Sequence, residues 1–341
     1  MKFSVFSLAS VVTVALQSAT MAAAKPTFHV FGDSLSDIGT LKLLTLGIVP
    51  PPPYWNGRFS SGPVWNEYLA LKLGYNLYNR AIGGATSVNN QTATLANGDI
   101  LQVPSSQDQI NYFKFLHPLY KLDPSRSDDI AALSGKLAPE AFATKLSDTI
   151  VGQLEQLKDI GFKNIIVGNV AAIQETPLAV SSGTVEAAKA TIPLTNKLIQ
   201  QKASAWAKTA GLTLFSVADL GAFVQLTIKQ SLSSALGLVT TTKPCVNLEK
   251  LGEYFSDGNI LQGLIDLLTN LGEVICNNPT EHYFMDPVHP AERVQRLFGY
   301  YMYEAIHALR SGSSFDLNEA NLLSLIGKFG LNTAAPKPAA I

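Results

Sequence analysis

Asp286 and His289 stand three residues apart in EHYFMDPVHPAERV, directly ahead of a helix-forming run. At that spacing a tight turn lets the carboxylate accept from the imidazole Nδ1–H, which fixes the tautomer and leaves Nε2 free to take a proton from a hydroxyl. One short loop would then supply a general base and the acid that orients it. A turn-forming aspartate followed by a helix-capping histidine explains the same letters, although serine or asparagine caps as well as histidine does. The candidate hydroxyl is Ser34 in HVFGDSLSDIG, at the end of an apolar run near the other end of the chain. On its own the Gly-Asp-Ser tripeptide suits a sharp turn as well as it suits a nucleophile. Gly83-Gly84 in NRAIGGATS can present a backbone N–H with no side chain in the way, which is what a developing oxyanion requires, and is equally a turn pair. His29 lies in a strand-like run, His307 in a helical one and His117 in loop-like sequence, whereas His282 is close enough to the Asp286 loop to be a substrate group.

These residues need a frame that unites distant parts of the chain. Five short runs rich in apolar and β-branched residues (27–34, 76–83, 128–135, 163–170 and 212–220) alternate with longer helical patterns, the signature of βα units and a parallel sheet. Ligands of such sheets bind beyond the carboxyl ends of the strands, where Ser34 and Gly84 fall. Helices are expected over 64–74, 141–161, 183–211 and 290–310, with Pro193 starting or kinking the third and Pro290 opening the last. The segment 46–63 is a proline-rich loop carrying Tyr54 and Trp55, aromatic rings able to stack on a sugar. Residues 222–275 lack a strand pattern and read as a helical insertion, either a layer on the core or a lid shaping an acyl pocket.

The first 24 residues, with Lys2, an apolar core and an Ala22-Ala23-Ala24 ending, read as a secretory signal peptide. In a secreted, extracellular chain the two cysteines, Cys245 and Cys276, are most simply a disulfide, and Asn90 in NNQT is a glycosylation acceptor. A net charge of −1 with 15% charged residues gives no basic face for nucleic acid and no acidic excess of the kind that keeps chains disordered. No later apolar stretch is long enough to suggest an integral membrane protein, and no histidine or cysteine spacing suggests a metal.

Taken in order, FGDSLSDIG, GRFSSGPVWNEYLA, NRAIGGATS and DPVHPAERV resemble the GDSL-type SGNH hydrolase superfamily, in the branch of plant GDSL lipases and fungal acetyl esterases. The resemblance covers most of residues 27 to 310. It implies an α/β fold, a flavodoxin-like three-layer α/β/α sandwich with a parallel five-stranded sheet. It also implies Ser34 as nucleophile, His289 as base, Asp286 as its partner, and the N–H groups of Ser34 and Gly84 as oxyanion donors. One block departs: where the family has G-x-N-D, this chain has Gly135, Leu137 and Ala138, and a leucine cannot donate. Losing one such donor costs about 10²–10³ in turnover. Asn169, or Asn89 or Asn90 beyond Gly84, are the available amides.

The implied activity is that of a secreted serine ester hydrolase, a carboxylesterase, acetylesterase or lipase, needing no cofactor and acting on extracellular acetylated polysaccharide or lipid esters. A non-catalytic sugar- or lipid-binding relative and an acyltransferase are the alternatives. The expected organisation is a signal peptide (1–24), a hydrolase domain (25–312) with the 222–275 insertion, and a C-terminal extension (313–341) whose last ten residues are disordered.

Overall fold

The computed structural model describes residues 25–87, 92–94, 100–120, 130–133 and 143–335. The expected signal peptide, Asn89 and Asn90, and Gly135, Leu137 and Ala138 lie outside these residues.

Seven strands occur among the described residues: β1 (Thr27–Phe31), β2 (Asn76–Asn79), β3 (Thr92–Thr94), β4 (Ile100–Gln102), β5 (Ile130–Leu133), β6 (Asn164–Gly168) and β7 (Leu214–Ala218). Five of them hydrogen-bond as parallel neighbours in the order β2-β1-β5-β6-β7, while β3 and β4 form a separate antiparallel pair. The side chains of a strand alternate between faces, and here both faces are covered. Phe28 and Val30 of β1 point into one apolar cluster, and Phe31 into another. Ile165 and Val167 of β6 join Phe31, and Ile166 lies opposite them with Phe28.

The helices are α1 (Thr40–Leu44), α2 (Trp65–Leu73), α3 (Ser106–Tyr120), α4 (Ala143–Ile160), α5 (Pro177–Ser181), α6 (Val185–Ala207), α7 (Leu220–Thr227), α8 (Gln230–Ala235), α9 (Leu248–Glu253), α10 (Ile260–Thr269), α11 (Leu271–Val274), α12 (Glu292–Arg310) and α13 (Glu319–Phe329). Leu146, Ile150, Leu154 and Leu157 recur at three- and four-residue spacing along α4, the stripe a helix needs to cover a sheet face, and bury against β1 and β6. On the other face Val294, Leu297, Phe298, Tyr301 and Met302 of α12 do the same, packed with Trp65 and Leu69 of α2. α6 runs through Pro193 without a break.

The expected insertion at 222–275 is helical, carrying α8 to α11 and most of α7, and the Cys245–Cys276 disulfide brackets α9 to α11. Val246, Leu251, Leu267 and Val274 build a small cluster there that also takes in Tyr54, Met285 and Ala291. The C-terminal extension is packed as well. Leu322, Leu325, Ile326 and Leu331 join the core, and Arg296 donates to the carbonyls of Leu331 (3.1 Å) and Thr333. A buried guanidinium needs acceptors, and the carbonyls of Leu331 and Thr333 supply them. Among the described residues no helix is long and apolar enough to cross a membrane.

Candidate active site

β1 and β2 run parallel in register, Val30 opposite Asn79, so their carboxyl ends emerge side by side. The ladder continues past the strands as Arg80 N–H donates to Val30 O (2.8 Å) and Ile82 N–H to Gly32 O (3.0 Å). Gln109 of α3 clamps the Gly32 peptide from the other side, accepting its N–H at 2.8 Å and donating to its carbonyl at 2.9 Å. The chain then turns sharply: Ser36 and Asp37 donate to Asp33 O, and Leu35 N–H to Asp33 Oδ1. Ser34 stands in this turn, 1% exposed.

Asp37 ties the Ser34 turn to the Gly83-Gly84 turn. Its buried carboxylate accepts from the N–H groups of Gly39 (2.7 Å), Thr40 (2.6 Å), Leu41 (3.0 Å) and Gly83 (2.7 Å). Burial pushes this carboxyl up, against the downward pull of the four N–H donors. Gly84 has φ +83°, a conformation that favours glycine, and at Gly83 a Cβ would sit 2.3 Å from the Phe59 ring. Neither the Ser34 N–H nor the Gly84 N–H is taken by an acceptor among the described residues.

The second half of the site is carried by the loop before α12. Met285 N–H donates to His289 O (2.8 Å), folding the intervening residues into a tight turn. Within it Asp286 Oδ1 accepts from the N–H groups of Val288 and His289, both at 2.8 Å. Asp286 Oδ2 lies 2.7 Å from His289 Nδ1, and His289 Nε2 lies 2.7 Å from Ser34 Oγ. The loop is anchored through Glu292, buried at the start of α12, which accepts from the Tyr68 hydroxyl (2.5 Å) and pairs with Arg296 (3.1 Å). Burial alone would raise the Asp286 carboxyl, yet the charge of His289 and the hydrogen bonds of His289, Tyr54 and the backbone hold it well below the usual carboxylate range. A carboxylate, an imidazole and a hydroxyl in that order can transfer a proton from oxygen to nitrogen.

A model of the GDSL-like lipase/acylhydrolase family matches residues 29–302, which include both halves of this site. The chain belongs to the GDSL-like lipase/acylhydrolase family. Two curated relatives agree: it is 31% identical over 220 residues to a phosphatidylcholine-sterol acyltransferase of Aeromonas hydrophila, covering 62% of this chain and 64% of that one. It is 30% identical over 226 residues to a thermolabile hemolysin of Vibrio parahaemolyticus, covering 64% and 51%. The matches span less than two thirds of either relative's length. Among solved structures, a carbohydrate acetylesterase from Sinorhizobium meliloti aligns over 84% of this chain and 100% of that chain, at 12% identity and a TM-score of 0.41.

In this GDSL-family chain the three residues expected to contact substrate sit differently from one another. Tyr54 is buried, and its hydroxyl donates to Asp286 Oδ2 at 2.6 Å. Its ring is thus not a platform for a sugar, because burying it behind Asp286 satisfies both the phenol and the carboxylate. Trp55 is half-buried, with the Arg58 guanidinium 4.9 Å from its ring centroid on one face. His282 lies in a bridge to Thr240, its Nδ1 3.1 Å from Lys243 O, which marks it as part of the scaffold of the helical insertion. Asn169 is committed too: it donates to Asp219 (2.8 Å) and accepts from Gly221 N–H (3.2 Å). Sequence reading passed over Asp37 and Phe59. The first lies three residues after Ser34, where it looks like one more turn former, and only the folded turns reveal four N–H groups converging on it.

Proposed function

We propose that this member of the GDSL-like family is a serine ester hydrolase that works through an acyl-enzyme on Ser34. The carrying observation is the unbroken chain from Asp286 Oδ2 through His289 to Ser34 Oγ, both contacts at 2.7 Å. Ser34 Oγ attacks an ester carbonyl carbon as its proton passes to His289 Nε2, and the electron pair of the O–H bond becomes the new C–O bond. Asp286 stabilises the imidazolium. The Ser34 and Gly84 N–H groups receive the oxyanion, after which the imidazolium protonates the leaving alkoxide. Water activated by the same imidazole then releases the acid. The sheet covered by helices on both faces serves as the flavodoxin-like frame of this site.

The setting we favour is extracellular, supported by the leader-like first 24 residues and by the Cys245–Cys276 bond. A second reading, transfer of the acyl group to an alcohol, is favoured by the 31% identity to a phosphatidylcholine-sterol acyltransferase. Purified protein offered p-nitrophenyl esters from acetate to palmitate, and phosphatidylcholine with and without a sterol, decides between them. Free acid in all cases supports hydrolysis, and sterol ester supports transfer. Ser34→Ala should abolish turnover in every arm. Undiminished turnover by that variant would remove Ser34 from the reaction.

A further inference from the structure

We propose that Tyr54 is a positioning residue whose hydroxyl sets the orientation and proton affinity of the Asp286–His289 pair. The inference rests on the acyl-enzyme reading above and adds to it a group that a Ser-His-Asp triad does not contain.

An ionised carboxylate offers about four acceptor positions. Those of Asp286 are all filled: two backbone N–H groups on Oδ1, and His289 Nδ1 and the Tyr54 hydroxyl on Oδ2. Three of these donors belong to the Asp286–His289 turn itself. Tyr54 alone arrives from elsewhere, 232 residues away in sequence. It is brought there by the proline-rich loop, which also sets the Phe59 ring 5.0 Å from the His289 ring and donates from Ser60 Oγ to Pro290 O (3.3 Å). The Tyr54 and Phe59 rings meet edge to face at 5.8 Å, so the phenol has little freedom to swing away. One loop therefore touches the acid, the base and the residue that follows the base.

The hydrogen bond has a chemical consequence. When His289 takes the Ser34 proton, the imidazolium is stabilised by the charge on Asp286 Oδ2. A phenol donating to that same oxygen draws off part of the charge, so the imidazole is a weaker base than it would be beside a less solvated carboxylate. By holding Oδ2 from outside the turn it also opposes rotation of the carboxylate about its Cβ–Cγ bond. The groups facing the pair are Ser34 from the β1 turn, Tyr54 and Phe59 from the proline-rich loop, and the turn's own N–H groups. Among the described residues no lysine, arginine or second carboxylate is paired with either Asp286 or His289. Among the described residues Tyr54 is thus the one polar contact to the Asp286 carboxylate from outside its own turn, Ser34 being the partner of His289. A purely structural tyrosine, filling the small cluster around Cys245 and Met285, would be replaced by phenylalanine without any change in His289.

The test follows the His289 imidazole by NMR titration, a readout that does not require turnover, in wild type, in Tyr54→Phe, and with 3,5-difluorotyrosine placed at position 54. Removing the donor should raise the His289 midpoint by about 0.5–1 pH unit, and the more acidic phenol, a stronger donor, should lower it. With an ester substrate, Tyr54→Phe should lower kcat roughly ten-fold with KM nearly unchanged, and move the alkaline-rising limb of the rate to higher pH. A midpoint unmoved by both substitutions, or moved in the same direction by both, overturns the inference. Should the phenylalanine variant not fold, the difluorotyrosine protein decides alone: a lower midpoint supports the role, and an equal or higher one overturns it. Hydrolysis that survives Ser34→Ala would instead sink the acyl-enzyme reading, whatever His289 does.

Discussion

Asp286 is a buried carboxylate kept ionised by its donors, and that makes both its chemistry and its contribution to stability dependent on pH. Replacing it with asparagine keeps the shape but offers His289 Nδ1 an amide, which can hold the wrong tautomer. In the reading proposed here, Asp286→Asn lowers kcat by about 10³–10⁴ in an ester assay while substrate binding persists. The stability effect has a definite sign. Because the folded-state pKa lies below the unfolded value, the ionised carboxylate stabilises the fold above the ordinary aspartate range, near pH ~3.9, and that contribution is lost as pH falls toward the folded value. Urea unfolding of wild type and Asp286→Asn should therefore show a stability gap at pH 6 that narrows steadily below pH ~4. A gap of constant size across that window would mean that the carboxylate charge is not what the fold uses.

At the scale of elements, the site is the meeting of three loops, and Asp37 joins two of them. An asparagine there can accept through only one oxygen, and its NH₂ group faces N–H donors. Asp37→Asn should leave at least one buried donor unsatisfied and cost about 2–4 kcal/mol, measured by chemical denaturation. It should also slow turnover, since the Gly83 N–H that it releases adjoins Gly84, whose N–H we propose as an oxyanion donor. The sequence announced the elements well because burial on both sheet faces imposes long apolar runs: 163–170 contains Asn164–Gly168, and 212–220 contains Leu214–Ala218. The first run overshoots its strand because Asp33 and Ser34 leave the ladder after Gly32 to form the rim. The three-residue strands Thr92–Thr94 and Ile100–Gln102 are too short to show a period, and His117, loop-like beside Pro118, falls within α3. Ser34, Asp286 and His289 were legible because their residue types bear the chemistry. The roles of Tyr54 and Asp37 were not, because a residue's hydrogen-bond partners depend on which distant loop folds against it.

The whole molecule couples its inserted helical layer to the site through Tyr54, Met285 and Ala291, which share an apolar cluster with the disulfide region. Cys245 and Cys276 close a span of 31 residues, and the cross-link limits how far that span can expand when unfolded. Removing it by Cys245→Ser with Cys276→Ser should lower stability by ~2–4 kcal/mol, read from denaturation midpoints at constant m-value. Unchanged midpoints would show that the small cluster holds the layer without covalent help.

Ser34 and His289 are neighbours in space and 255 residues apart along the chain. The hydroxyl is made 255 residues before its partner, so no nascent or truncated chain lacking the Asp286–His289 loop can carry out the proposed reaction, however well its sheet has formed. Recovered turnover after denaturation should accordingly trail the return of helical circular dichroism, making activity a late reporter of completed assembly in this molecule.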